Sequence, residues 1–451
     1  MKQLPIRQHI RDYPVVVVHN YLESFRSFFS RTGDDTILFD RRFNGDQALY
    51  WMGNDKLVIT SVPITDAAVL CKRWGYTQTK TLAPKNMTAS LSQDILEEQE
   101  LLEAILAQAG DAKKVAMISY AATPEFLHLA ETLTKQYGLD VLLPECPTPE
   151  RLWVKDYLDS KVGFRNLFPQ WTHDDDRHKY PEGFICDNLD NVAEMVHWFR
   201  ENGKGCVIKA SQGGSGVGNL FMPLKDIPDT VVKIYEHLCS NIFLVQDLYV
   251  VEELIDSPTK ESPSAEVYIP PLEAGPPIMT YLCMQHFESS GRFAGVLIGS
   301  EMEDKTWYPK YVDTEMFIAG EMQKMGYVGY FDMDSIIDEH NDVYMVEINA
   351  RRTGGTYAHE FMEFVFGPEY FNRIAMLAHN KFDSGRLRTL PELEEAIADL
   401  LYPIKGEERG VIVLLTSTLS QGKFGFLVVG DTLAETISLR AQMSERIHQA
   451  V

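Results

Sequence analysis

An apolar strand that delivers a lysine into four glycines is the first feature of this sequence that could do chemistry. It reads Cys206-Val207-Ile208-Lys209-Ala210-Ser211-Gln212-Gly213-Gly214-Ser215-Gly216-Val217-Gly218. Glycine lets backbone amides close on a phosphate, and the lysine adds a compact positive charge. The lysine precedes the glycines and lies on the strand, so this is not a Walker A loop. Taken alone, the run also suits an ordinary glycine-rich hairpin. The second feature is Phe331-Asp332-Met333-Asp334-Ser335-Ile336-Ile337-Asp338, followed after a polar turn by Val343-Tyr344-Met345-Val346-Glu347-Ile348-Asn349-Ala350-Arg351-Arg352. Glu347 and Asn349 are two apart and share one strand face. Asp334 lies thirteen residues before Glu347 and can look into the same space, with Asp332 alternating onto the same face. Only oxygen ligands are offered here, a set that suits Mg²⁺ at nucleotide phosphates, with Mn²⁺ as the other ion it admits, and does not suit zinc. The alternative is an edge hairpin with a wet face, against which stands the need of Glu and Asn for partners in so apolar a strand.

The elements that must carry these groups alternate along the chain. Strand patterns fall at 14–18, 36–39, 57–60, 115–119 and 140–143, with helical patterns at 21–30, 66–74, 91–108 and 124–137. Such alternation predicts a doubly wound parallel sheet with helices on its faces. Pro144, Pro147 and Pro149 mark a boundary after it. A helix is expected at 151–168, then helix 191–201, strand 206–210, the glycine loop, strand 219–223, helix 230–240 and a long β stretch at 243–255. Further strands follow at 265–269, 278–287, 294–298, 327–337 and 343–350, with a helix at 314–325 between the last two pairs. Helices at 360–366 and 368–379, strands at 410–416 and 423–429, and a helix at 432–449 complete the reading.

Composition limits what the chain can bind. At 451 residues, two or three domains are expected, and 45% hydrophobic with 24% charged residues is the balance of a soluble globular protein. No apolar run approaches a membrane span, and Arg7, Arg11 and Asp12 interrupt the start, so a cytoplasmic location is expected. A formal net charge of −23 repels nucleic acid and anionic membranes, and neither is expected as a partner. It also requires any phosphate-binding cations to be concentrated in one place. Cys71, Cys146, Cys186, Cys206, Cys239 and Cys283 form no Cys-x-x-Cys pair and support neither zinc nor a disulfide framework. The run His173-Asp174-Asp175-Asp176 reads as a solvated loop, because adjacent carboxylates repel.

The Glu-x-Asn-x-Arg strand after an acidic strand, with the upstream lysine and glycine loop, resembles the ATP-grasp superfamily. Its acid-to-Glu spacing is similar to that of D-alanine–D-alanine ligases, and the Asn-x-Arg continuation is more like biotin carboxylase. The resemblance implies an α/β protein with an α+β core, in three parts. These are a pre-ATP-grasp domain at 1–147, an ATP-grasp core at 148–385 and a small C-terminal α/β subdomain at 386–451. The core would divide into 148–243 and a metal- and adenine-binding part at 244–385. The outer layout resembles the pheganomycin-type peptide ligases.

Residue by residue, the resemblance implies ATP held by Lys161 (with Lys155 as the alternative), Lys209 and the loop Gly213, Gly214, Ser215, Gly216 and Gly218. It implies an adenine hinge at Glu252, Glu253, Leu254 and Ile255, with Glu266 near the ribose. Asp334, Glu347 and Asn349 would be the metal ligands. Arg351 would stabilise an acyl phosphate, with Arg292 as a second phosphate or carboxylate contact or else a surface residue, and Arg352 alternating to the other face to make an ion pair. The implied activity is a ligase that phosphorylates a small-molecule carboxylate and joins it to an amine, amino acids or peptides being the expected substrates and a homodimer a compatible assembly. A carrier-protein thiol acceptor, a hydroxyl acceptor and a non-catalytic nucleotide-binding regulator remain the rival expectations.

Overall fold

In the computed structural model, residues 10–31, 40–173, 177–214, 217–241, 243–244, 248–288 and 291–450 are described. The expected strand at 36–39, Asp174–Asp176 of the acidic loop, and Ser215 and Gly216 lie outside them.

Four consecutive valines crowd a helix and suit a pleated surface, and they form a fully buried strand, β1 (Val15–Val18). With β2 (Lys56–Ile59), β3 (Lys80–Leu82), β4 (Lys114–Ser119) and β5 (Asp140–Leu142) it makes a parallel sheet of order β3-β2-β1-β4-β5. The order reverses between β1 and β4, so the segments leaving their C-terminal ends open a crevice at a switch point. Helix Tyr21–Ser30 leaves β1, and helix Pro124–Tyr137 follows β4. The latter is fixed at both ends: Thr123 accepts from the Phe126 amide at 3.2 Å, and Gly138 closes it in the left-handed conformation. The single helix expected at 91–108 is two, Leu91–Glu97 and Gln99–Ala109, because Glu98 is extended between them.

A smaller antiparallel sheet follows, made of β6 (Gly183–Cys186), β7 (Cys206–Gly214), β8 (Val217–Met222) and β9 (Tyr249–Glu253) in the order β6-β9-β7-β8. Its inner face packs Cys206 and Ile208 under helices Leu189–Glu201 and Val231–Cys239. Alternation then sends Val207 and Lys209 to the opposite face. The long strand expected at 243–255 shrinks to β9, and 245–247 lie outside the described residues. The helix expected at 151–168 is also two, Leu152–Leu158 and Lys161–Thr172. Ser160 restarts it by accepting from the Gly163 amide at 2.9 Å.

The largest sheet has eight strands: β10 (Pro263–Ile269), β11 (Ile278–Phe287), β12 (Phe293–Ile298), β13 (Gly329–Ile337), β14 (Val343–Asn349), β15 (Ala375–Asp383), β16 (Gly410–Leu415) and β17 (Lys423–Gly430). Their order is β14-β13-β10-β11-β12-β15-β17-β16. Met333, Met345 and Phe426 belong to the core on one face, with residues of helices Tyr308–Lys324 and Leu433–Gln449. On the other, Tyr357 and Phe361 pack with Tyr50, from the 3₁₀ segment Asp40–Tyr50, and join this sheet to the first domain.

One expectation is overturned. The helix read at 368–379 is a short 3₁₀ turn, Tyr370–Asn372, followed by strand β15. Its apolar run, Ile374 to Ala378, satisfies either period, and pairing with β12 and β17 decides for the strand.

Arg352 ties the layers together. It donates to Glu145 at 2.7 Å and 2.6 Å and to Glu360 at 2.6 Å, and it lies over Trp51 and Tyr330. All three charges are buried, so removing the cation leaves two carboxylates uncompensated. Arg352→Met should therefore lower stability by about 3–5 kcal/mol in urea unfolding. A midpoint indistinguishable from that of the parent would show that this triad does not hold the domains.

Candidate active site

The pairing of β13 with β14 sets Asp334 opposite Glu347 and Asp332 opposite Asn349, with a slip after Asp334. All four side chains line one cavity of about 490 Å³. Asp334 accepts from Gln285 at 2.7 Å and from Asn349 at 3.3 Å. Burial and the neighbouring Glu347 charge push Asp334 up to about 6, and burial with Asp334 raises Asp332 still further. Asp332 Oδ1 is buried and has no hydrogen-bond partner among the described residues.

Two buried lysines meet this hairpin from the other subdomain. Lys161 donates to Glu347 at 2.7 Å and to the Gly213 carbonyl at 3.4 Å. Lys209 pairs with Glu252 and donates to the Val346 carbonyl at 3.0 Å. Lys155 instead pairs with Asp156 and Asp159 at 3.2 Å and 3.8 Å and lines a separate small cavity. Gly214 ends β7 opposite Val217, and Gly218 has φ +93°. A Cβ on Gly218 would meet Ala210 at 3.2 Å, so a larger residue is strained there twice over.

Glu252, Glu253, Leu254 and Ile255 all line the cavity, with Glu253 also bound to Lys204 at 3.1 Å. Glu266 does not. It sits behind the wall, holding Thr280 at 3.0 Å and the Thr356 hydroxyl, which itself receives the Thr353 amide. Burial pushes this carboxyl up to about 8, so it is largely protonated at neutral pH.

Arg351 donates to Asn349 Oδ1 at 2.7 Å, approaches Asp159 at 3.6 Å and lies over the Phe25 and Tyr120 rings at 5.3 Å and 5.7 Å. Burial opposes its charge, but Tyr120, Asp159 and Asp332 more than offset this and raise its pKa. Arg292 lines the cavity from its exposed rim and pairs with Glu288 at 3.1 Å. Sequence reading missed Gln285, Asp159 and Tyr120. A glutamine on an otherwise apolar strand was the available signal for the first; the others are brought in only by the fold.

The donor chemistry fits a divalent cation bound with phosphates. Among the described residues no three His, Cys, Asp or Glu residues close around an ion by themselves. Mg²⁺ has no need of such a cage, since it takes one or two carboxylates and completes its shell with phosphate and water. Crowded carboxylates with raised pKa values and an unpartnered oxygen are what an added cation would relieve.

Two outcomes are expected. Lys209→Ala and Lys161→Ala should each weaken ATP binding in calorimetric titration by about tenfold or more, while the proteins stay folded. Parent-like affinity in the Lys209 variant would remove the phosphate role; parent-like affinity in the Lys161 variant alone would move that role to Lys155. For the metal, Glu347→Gln and Asn349→Ala should abolish turnover, Asp334→Asn should impair it strongly with partial rescue by excess Mg²⁺, and Asp332→Asn should be milder. If Asp332→Asn is the deader aspartate variant, the ligand is Asp332.

No family model matches the chain, and no curated protein matches it. Solved structures do. N5-carboxyaminoimidazole synthetase from Staphylococcus aureus complexed with ADP superposes with a TM-score of 0.53 at 10% identity, over 96% of each chain. N5-carboxyaminoimidazole synthase from Aspergillus clavatus, in complex with ADP and 5-aminoimidazole ribonucleotide, gives 0.55 at 10% identity over 97% of this chain and 99% of that one. Biotin carboxylase from Campylobacter jejuni, a β-γ-ATP complex, gives 0.54 at 12% identity over 94% and 89%. At such identities the likeness is one of fold, and it spans nearly the whole chain: this protein has the ATP-grasp fold.

Proposed function

We propose that the protein is an ATP-dependent ligase that activates a carboxylate as an acyl phosphate and joins it to an amine, releasing ADP and phosphate. One observation carries this reading: Lys209, the hinge at Leu254 and Ile255, the Asp334–Glu347–Asn349 set and Arg351 line a single cavity. A purine at the hinge would direct its phosphates past Lys209 and Lys161 toward the acidic hairpin. The loop around Gly213 and Gly218 would cover the terminal phosphates. When bound, Mg²⁺ supplies charge neutralisation at those phosphates, and Asp334, Glu347 and Asn349 would hold it.

A carboxylate repels nucleophiles. Its oxygen takes the γ-phosphoryl group, ADP departs, and the resulting mixed anhydride has a good leaving group. The amine nitrogen then attacks the acyl carbon, and phosphate leaves as the amide forms. Arg351, held over two aromatic rings and fixed by Asn349, would balance charge on the acyl phosphate and on the oxyanion that follows. Positioning and charge stabilisation supply the catalysis in such a scheme. An amino acid or peptide acceptor is the choice suggested by the likeness of layout to pheganomycin-type ligases. Paired screening of amino acids and dipeptides for coupled ADP release would identify the substrates.

The acid substrate labelled with heavy oxygen separates this scheme from its neighbours. Label should appear in inorganic phosphate, and hydroxylamine in place of the amine should yield a hydroxamate. Label in AMP would overturn the acyl-phosphate route. Stable phosphate transfer to a hydroxyl would make the protein a kinase, and unchanged substrate with bound ATP would make it a regulator.

A further inference from the structure

The cavity carries a set of cations that the proposed chemistry leaves unused. Arg41, Arg292, Lys381 and Lys423 line it, with Asn44 and Gln47 as neutral donors beside them. Lys381, on β15, is half-buried, and among the described residues neither its ammonium nor that of Lys423 has a hydrogen bond or ion pair. Arg41 gives one nitrogen to the Tyr21 hydroxyl at 3.1 Å, lies over the Phe29 ring and pairs with no described carboxylate. Among the described residues, only Arg292 of the four has an acid partner, the Glu288 pair at the rim.

These charges feel one another. Burial and the charges of Arg41, Lys423 and Arg292 push Lys381 down to about 8. The one acid that favours its charged form, Asp46, is buried, pushed up to about 6, and already accepts the Ser417 amide at 3.0 Å. A chain with 65 acidic against 42 basic residues has ample means to neutralise such cations, yet among the described residues Arg41, Lys381 and Lys423 have no carboxylate partner, although Glu288 and the acids of the hairpin line the same cavity. Gathering like charges in a partly desolvated space is unfavourable unless an outside anion is bound there. Planar guanidinium and compact ammonium together suit phosphate or carboxylate oxygens.

We propose that this cationic part of the cavity binds a second anionic group, a phosphate monoester or a further carboxylate, carried by one of the two organic substrates away from its reacting centre. The assignment of that group to a substrate rests on the ligase reading; the anion site itself does not. Its charges would be recognised by Lys381, Arg41 and Lys423, while the nucleotide occupies the hinge and the acidic hairpin.

The test uses the full chain, saturated with Mg²⁺ and a non-hydrolysable ATP analogue so that the nucleotide positions are filled. Inorganic phosphate and malonate are titrated calorimetrically into the parent protein and into Lys381→Gln, Arg41→Gln, Lys423→Gln and, as a distant charge control, Lys233→Gln. At least one probe should bind saturably, and Lys381→Gln and Arg41→Gln should each weaken it about tenfold while Lys233→Gln leaves it unchanged. Preference for phosphate or for malonate identifies the group. Should Arg41→Gln fail to fold, the exposed Lys423→Gln, expected to weaken binding severalfold, takes its place. No saturable binding to the parent protein, parent-like affinity in Lys381→Gln, or equal weakening in Lys233→Gln would overturn the proposal. Loss of analogue binding by the parent protein would instead remove the ligase reading, and anion binding that still depends on Lys381 would then stand alone.

Discussion

Two buried ammonium groups, Lys161 and Lys209, need counter-charge that the smaller subdomain supplies only in part. Lys209 has Glu252 on the neighbouring β9, but its remaining capacity reaches across to the Val346 carbonyl, and Lys161 reaches to Glu347. These contacts join β7 and helix Lys161–Thr172 to β14 across one side of the cavity. A buried lysine released from such a pair without replacement would be strongly disfavoured.

The same restraint governs the hairpin. Asp332, Asp334 and Glu347 crowd one face because β13 and β14 pair in that register, and burial together with the neighbouring carboxylates raises the first two pKa values. Arg351 limits the repulsion from one side, held against Asn349 and two aromatic rings. An arginine serves here where lysine would not, since a planar guanidinium can stack and donate to a fixed oxygen at the same time.

Local patterns made much of this legible in the sequence. Helices Tyr21–Ser30 and Pro124–Tyr137 carry their own periodicity and, in the second, caps at both ends. The shared face of Glu347 and Asn349 followed from alternation alone, and the lysine-before-glycine order drew attention to Lys209. What stayed hidden depended on pairing between distant segments. Strand β15 looks helical until β12 and β17 flank it. Glu266 was expected near a ribose, yet it does not line the cavity, and its carboxylate is taken up by Thr280 and Thr356. Arg41, Lys381 and Lys423 lie hundreds of residues apart in part and share no local spacing, so only the fold brings their charges within reach of one another.

The first domain is therefore part of the site. Its switch point sends helix Tyr21–Ser30 from β1 and Tyr120 from β4 to the floor beneath Arg351, while Phe28 packs near Gly218 of the glycine loop. Arg352, one residue beyond Arg351, locks the same region by pairing with Glu145 and Glu360. Adjacent arginines just past the end of β14 thus divide the work, one facing the cavity and one facing the buried joint. Any movement that separates the first sheet and its helices from the large sheet must break the Arg352–Glu145 pair and withdraw the aromatic floor from Arg351 together. The placement of Arg351 is in this way coupled to the integrity of the buried joint at Arg352.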